Sequence, residues 1–171
     1  MNLPRVRVSL PLPAVVRRAD RRARMDRSPM PVSALFEVRV LVVEDDADLI
    51  ESVRRVLPRS FRVTACRSAR AAVAIVEAGK FFDVLICGYE MLEMNGRELH
   101  SSIADLDAVL ARNALVIVSS RLSPEDERYF GDRRVRLIYS PFRSERLREE
   151  VEVLATHAML ALYRLERYVI Q

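Results

Sequence analysis

Five short apolar runs, separated by segments with helical spacing, constrain the fold of this chain more than any other feature. The runs are Val40 to Val43, Phe61 to Ala65, Phe82 to Cys87, Leu115 to Val118 and Val135 to Tyr139. Short runs rich in β-branched residues are typical of buried strands. Because strands that alternate with helices pair in parallel, the sequence predicts an α/β fold. We expect one five-stranded parallel sheet with helices on both faces.

The segments between the runs carry signals for the starts and ends of helices. Asp46, Ser68 and Ser123 each precede a segment with helical spacing, and their side chains are suited to cap it. Pro58 is expected to stop the first helix, and Gly79 to end the second in the left-handed conformation. These signals support the predicted alternation of strands and helices.

Positive charge is concentrated at the N-terminus. Residues 1–36 hold eight arginines against two aspartates, a net +6, and since the whole chain carries +4, residues 37–171 carry −2. With five prolines and no regular period, residues 1–36 are predicted to form a disordered basic arm. Such an arm could contact nucleic acid or an acidic partner. The alternative is that translation begins at Met25 or Met30, so that most of the arm is not made.

The composition disfavours several classes of protein. No stretch reaches the roughly 18 apolar residues that a membrane span needs. The basic N-terminus also lacks the pattern of a signal peptide, so we expect a cytoplasmic protein that does not associate with membranes. Cys66 and Cys87 lack the spacing of a zinc site or a disulfide framework. His100 and His157 are far apart in sequence, which gives little support to a site built on histidine.

A long helix is predicted from Ser144 to the end of the sequence, where neither proline nor glycine occurs. Apolar residues recur along it at alternating steps of four and three: Leu147, Val151, Leu154, Ala158, Ala161, Leu165 and Tyr168. This spacing is typical of a heptad seam. The seam predicts pairing with a second copy or with another protein, and residues 157–171 would extend the helix beyond its domain. The alternative is that the extension folds back on the same domain.

The order of these elements and several local sequences resemble the receiver domain of response regulators in two-component signalling. The resemblance covers residues 38–156. Its cues are Val40 to Asp46, Phe82 to Cys87, Met91 to Gly96, Ser119, and the pair Pro141-Phe142. It implies a flavodoxin-like (CheY-like), doubly wound sheet for residues 37–156, followed by the extended helix.

A working receiver transfers a phosphoryl group from a partner histidine to its own aspartate. The resemblance implies that an acidic pair holds Mg²⁺, while a lysine and a hydroxyl bind the phosphoryl oxygens. Glu44 and Asp45 match the acidic pair, and Ser119 matches the hydroxyl. The phosphoacceptor position falls on Gly88 and the lysine position on Ser140, and neither residue can replace the original chemistry. These five residues form a remnant pocket, in which two carboxylates would bind Mg²⁺ weakly if at all.

The resemblance and the two losses together predict a stand-alone, degenerate receiver, or pseudo-receiver. It would bind a protein partner such as a regulator or a kinase, or a second copy, without phosphorylation, enzymatic activity or cofactor. Two alternatives remain open. One is a phosphorelay receiver with a relocated acceptor such as Glu90, and the other is a nucleic-acid-associated regulator that uses the basic arm. Because acids without a metal or a lysine repel each other, we also expect a raised pKa at one of them, or a counter-charge from Arg121.

Overall fold

The computed structural model describes residues 37–169, with side chains described as far as residue 161. Strands and helices alternate through this part of the chain, as predicted, except that two successive helices connect the third strand to the fourth. The elements are β1 (Val38–Val43), α1 (Ala47–Val56), β2 (Phe61–Cys66), α2 (Ala69–Glu77), β3 (Val84–Gly88), α3 (Gly96–Leu106), α4 (Ala108–Arg112), β4 (Ala114–Val118), α5 (Pro124–Asp132), β5 (Arg136–Tyr139) and α6 (Ser144–Val169). The predicted basic arm, residues 1–36, lies outside the described residues.

The five strands form one parallel sheet in the order β2-β1-β3-β4-β5. This is the predicted doubly wound arrangement. The chain moves outward in one direction from β1 to β2 and in the other direction from β3 to β5. Sheets of this type bind ligands at the carboxyl ends of the strands, next to the point where the strand order reverses. The ends of β1 and β3 meet at that point in this chain.

Two apolar layers cover the sheet, one on each face. Leu41 and Leu85 point into the layer formed with α2, α3, α4 and α5. Val42 and Ile86, their neighbours along the same strands, point into the layer formed with α1 and α6. Alternate residues of a strand face opposite sides of a sheet. Apart from the exposed Arg39 in β1, the central strands therefore carry no polar side chain, and this explains the apolar runs in the sequence.

The predicted caps form at the predicted residues. The Asp46 carboxylate accepts hydrogen bonds from the backbone N–H groups of Asp48 and Leu49 at the start of α1. Ser68 and Ser123 cap α2 and α5 in the same way. Gly79 follows α2 with a φ of 81°, in the left-handed region where a side chain would cause strain. These local signals fix where the loops at the carboxyl edge of the sheet begin and end.

Helix α6 divides into two parts with different environments. Four residues of the predicted pairing seam are buried in the core layer shared with α1: Leu147, Val151, Leu154 and Ala158. This corrects the prediction that they form an interaction surface, because a side chain packed against its own sheet is not available to a partner. Ala161 is half-buried, and the side chains of Leu165 and Tyr168 lie outside the described part. Across residues 37–169, no helix combines the length and apolar character that a membrane crossing requires.

Candidate functional site

The residues of the predicted remnant pocket all lie at the carboxyl edge of the sheet. Glu44 directly follows β1, Gly88 is the last residue of β3, and Ser119 directly follows β4. Ser140 directly follows β5, and both serines are exposed. The fold thus places the predicted residues along one edge. The side-chain contacts show that only some of them come together.

Glu44 and Gly88 are in direct contact. A Cβ atom added to Gly88 would lie 2.1 Å from Oε2 of Glu44 and 2.9 Å from its Cδ. The Glu44 side chain therefore fills the volume that any side chain at position 88 would need. Its other oxygen, Oε1, accepts hydrogen bonds from the backbone N–H groups of Asp45 at 3.0 Å and Asp46 at 3.3 Å. The position that matches the phosphoacceptor is closed by a carboxyl group from the neighbouring strand.

Burial changes the acidity of Glu44, which is only 6% exposed. Burial raises the pKa of Glu44 to about 7, an effect that the backbone N–H group of Asp46 partly offsets and the nearby Asp45 reinforces. The predicted raised pKa is confirmed for this acid. Arg121 is exposed and forms no ion pair with Glu44 or Asp45 within the described part of the chain. The alternative that Arg121 supplies a counter-charge is therefore wrong.

The acidic pair does not form a magnesium site. Oδ2 of Asp45 accepts a hydrogen bond from the backbone N–H of Leu92 at 3.1 Å, so this oxygen is already engaged by the chain. Gly88 offers no third carboxylate, and residues 37–169 contain no cluster of three acidic, histidine or cysteine side chains suited to a metal ion. Mg²⁺ needs near-octahedral oxygen ligands. The residues that are present do not fit Mg²⁺ at this position.

The Glu90 side chain contacts the residues that directly follow β4, a contact that the sequence did not predict. Its Oε2 accepts a hydrogen bond from the backbone N–H of Ser119 at 3.1 Å, and its Oε1 accepts one from the backbone N–H of Ser120 at 2.8 Å. The Ser120 hydroxyl also donates to Oε1. Burial opposes ionisation of this carboxyl, but the hydrogen bonds from Ser120 and Ser119 outweigh burial and lower the pKa of Glu90. An ionised carboxylate thus binds the first residues after β4.

Tyr89 makes a second link from the end of β3 to the start of α5. Its hydroxyl donates to Oδ2 of Asp126 at 2.6 Å, and this hydrogen bond is the largest cause that raises the pKa of Tyr89 to about 12. Arg97 binds the other oxygen of Asp126 at 3.0 Å. Glu90 therefore ties the end of β3 to the segment between β4 and α5, residues 119–123, which we call the β4–α5 segment. Tyr89 ties the end of β3 to α5 itself. No local sequence signal marks a contact between residues 37 positions apart.

Comparison with solved structures agrees with this fold. A receiver domain protein from Methanospirillum hungatei, described as CheY-like, is 19% identical with a TM-score of 0.65, and the match covers 72% of this chain and 98% of that one. The structure described as adenylate cyclase from Rhodopirellula baltica is 20% identical with a TM-score of 0.69, covering 80% of this chain and 99% of that one. A Francisella response regulator receiver domain is 16% identical with a TM-score of 0.59, covering 70% and 98%. At these identities the likeness shows the fold alone.

A family model gives the assignment that structural likeness alone does not. No curated protein sequence matches this chain. The model of the response regulator receiver domain matches residues 40–152, which is more than half of the chain and contains the whole five-stranded sheet apart from the first residues of β1. The matched segment also includes Glu44, Gly88, Ser119 and Ser140, so the altered positions lie inside the family's own fold. The chain belongs to the response regulator receiver domain family.

Proposed function

We propose that this receiver acts in signal transduction as a protein-interaction module whose state does not depend on phosphorylation. The observation that carries the proposal is the contact between Glu44 and Gly88. The position where the family's chemistry needs an aspartate has no side chain, and the Glu44 carboxyl fills the space that an aspartate would require. A degenerate receiver of this kind binds its partner in the conformation that the fold itself maintains.

The chemistry of phosphoryl transfer lacks two of its groups. Gly88 provides no nucleophile, and Ser140 provides no positive charge to bind a phosphoryl oxygen. Ser140 is exposed, and its backbone N–H is bonded to the carbonyl of Val118 at 2.8 Å. A carboxylate that accepts a phosphoryl group at position 88 would need free space for its side chain and a cation to bind the phosphoryl oxygens. Neither condition is met by the residues at this edge.

The Glu90 carboxylate supports the idea of a maintained state. In a receiver that is phosphorylated, the hydroxyl after the fourth strand binds the incoming anion. Here a permanent anion, part of the chain itself, accepts hydrogen bonds from the backbone N–H groups of Ser119 and Ser120 and from the Ser120 hydroxyl. Charge-assisted hydrogen bonds are about twice as strong as neutral ones. Glu90 holds the β4–α5 segment, and Tyr89 holds α5, next to the end of β3 without any added group.

The partner in this proposal is a protein, either a regulator or kinase of a signalling pathway or a second copy of the chain. Pairing through the last helix would use the distal part of α6, where Ala161, Leu165 and Tyr168 continue the apolar spacing beyond the buried residues. The described domain buries the earlier part of the seam. A dimer would therefore depend on the residues after Ala158.

A relocated phosphoacceptor at Glu90 is less well supported than the binding module. Both oxygens of Glu90 are engaged with Ser119 and Ser120, and phosphorylation of either oxygen would break those hydrogen bonds. No cation contacts Glu90 among the described ion pairs to share the added charge. The experiment below separates this alternative from the proposal.

The test is the intact mass of the full chain after incubation with Mg²⁺ and acetyl phosphate. We expect no increase, while a receiver with the complete aspartate and lysine set, treated in the same mixture, gains the mass of one phosphoryl group. The variant Glu90→Gln is treated alongside. A stoichiometric gain that is lost in Glu90→Gln would replace the proposal with a relocated acceptor. A gain that persists in Glu90→Gln would overturn it in favour of another acceptor in the chain.

A further inference from the structure

Helix α6 has a side that faces away from the sheet, which we call its outer side. It is formed by Glu149, Val153, Thr156 and Leu160, which follow each other at steps of three and four residues. Val153 is 38% exposed and Leu160 is 53% exposed. Together with Glu152, residues of the outer side line an open depression on the surface. The outer side therefore combines carboxylates with exposed apolar side chains.

The sequence of α6 indicates that more than the sheet covers this helix. Residues 158–161 are Ala-Met-Leu-Ala, four apolar residues in succession. Because an α-helix turns once in 3.6 residues, a run of this length cannot lie entirely on the side that faces the sheet. Part of the run belongs to the outer side, where Leu160 is already exposed. An additional segment of protein would bury this apolar surface.

The carboxylates of the outer side are available for a positively charged segment. Neither Glu149 nor Glu152 forms an ion pair within the described part of the chain, whereas Glu150, between them, binds Arg136 and Arg146. Acids at the carboxyl edge of the sheet are engaged differently. Several cap helices or bind backbone N–H groups: Asp45, Asp46, Glu90 and Glu98. The unpaired acids on α6 thus lie beside exposed apolar atoms, whereas these edge acids already accept hydrogen bonds within the domain.

The basic arm joins the domain close to this part of α6. The arm ends at Phe36, two residues before β1, and Val38 shares a core layer with Leu154 and Ala155, against which Met159 also packs. From Arg24 to Glu37 the chain has 13 residues, which reach at most about 43 Å when extended. The outer side from Glu149 to Leu160 is only about 16 Å long. The arginines of the arm can therefore reach every residue of the outer side.

We propose that the basic arm, residues 1–36, binds the outer side of α6 in the same chain. The cluster Arg17, Arg18, Arg21, Arg22 and Arg24 supplies charge opposite to that of Glu149 and Glu152, and the apolar residues of the arm cover Val153 and Leu160. Its five prolines favour an extended backbone, which can lie along a helix without pairing its N–H groups. A second copy fits the outer side less well, because twofold pairing would bring the same acids together.

The test is a spin-label experiment on the full chain. Ala19→Cys places a label in the arginine cluster, and the native Cys66 and Cys87 are buried and do not compete for it. We expect the label to abolish the backbone amide NMR signals of Val153, Thr156 and Leu160, which return when the label is reduced. The signals should also return in 1 M salt, where charges are screened beyond about 3 Å.

Two charge-reversal variants separate a specific contact from general attraction. Glu149→Arg with Glu152→Arg should restore the α6 signals in the labelled chain. Glu77→Arg with Asp105→Arg changes the same charge on the opposite face, at two exposed acids, and should leave the signal loss intact. Unaffected α6 signals, or loss at the carboxyl edge instead, would overturn the proposal. A further sample mixes the spin-labelled chain with an isotope-enriched chain that carries no spin label. If the α6 signals are lost only in this mixture, the outer side binds a second copy.

Discussion

Replacing Gly88 with alanine tests directly whether Glu44 fills the position of the lost phosphoacceptor. The added Cβ would lie 2.1 Å from Oε2 of Glu44, whereas non-bonded heavy atoms rest at about 3.5 Å or more. The Glu44 side chain must therefore withdraw by more than 1 Å, and its hydrogen bonds to the N–H groups of Asp45 and Asp46 are strained or lost. Overpacking costs about 1–3 kcal/mol, and each lost hydrogen bond about 1 kcal/mol. Alanine recovers about 0.5–1 kcal/mol of glycine's backbone entropy.

We expect Gly88→Ala to lower the free energy of unfolding by about 1–3 kcal/mol, measured by urea denaturation. The matched control is the same substitution in a Glu44→Ala background, where the obstructing oxygens are absent. There the cost of Gly88→Ala should disappear, which gives a coupling free energy of about 1–3 kcal/mol between the two positions. An equal loss of stability in both backgrounds would refute the reasoning, because it would show that Glu44 does not occupy this space.

Three further substitutions test this account: Gly96→Ala with Gly131→Ala as its control, and Glu44→Gln. A Cβ on Gly96 would lie 2.6 Å from the carbonyl oxygen of Gly88 and 2.9 Å from Cα of Tyr89; because these are backbone atoms, Gly96→Ala should cost about 2–3 kcal/mol in urea denaturation. The control is Gly131→Ala in α5, where the added Cβ has nothing within 4 Å. It should leave stability unchanged or raise it by up to about 1 kcal/mol. Equal effects of Gly96→Ala and Gly131→Ala would contradict this account. Burial raises the pKa of Glu44 from 4.5 to about 7, so folding favours the protonated form of this carboxyl. The resulting contribution to stability is complete below pH 4.5 and is lost as the pH rises through 7. Glu44→Gln should therefore flatten the fall in unfolding free energy between pH 5 and pH 8, and parallel profiles for the two proteins would rule this cause out.

Much of the fold could be predicted because its signals are local. An apolar run indicates a strand that is buried on both faces. The helix starts are indicated by their caps, Asp46, Ser68 and Ser123. The same is true of the altered site. Because residue spacing carries the resemblance to receivers along each strand and its following loop, the lack of an acceptor at 88 and of a lysine at 140 could be predicted without coordinates.

The seam on α6 shows where a local pattern becomes ambiguous. A helix that packs on its own sheet and a helix that pairs with a partner both need apolar residues at steps of three and four. Only the tertiary structure decided that Leu147, Val151, Leu154 and Ala158 face the sheet. The pattern indicates that one side of the helix is buried, but it does not state what buries it.

The contacts that close the pocket were also decided by the tertiary structure alone. Glu44 lies beside Gly88 because β1 and β3 are adjacent in the sheet, although 44 positions separate these residues in the chain. Glu90 meets Ser119 and Ser120 because β3 and β4 are parallel neighbours, which brings the residues after both strands to the same edge of the sheet. The sequence determined which chemical groups are missing from the edge. What took their place depended on side-chain directions between adjacent strands, which spacing along one chain does not encode.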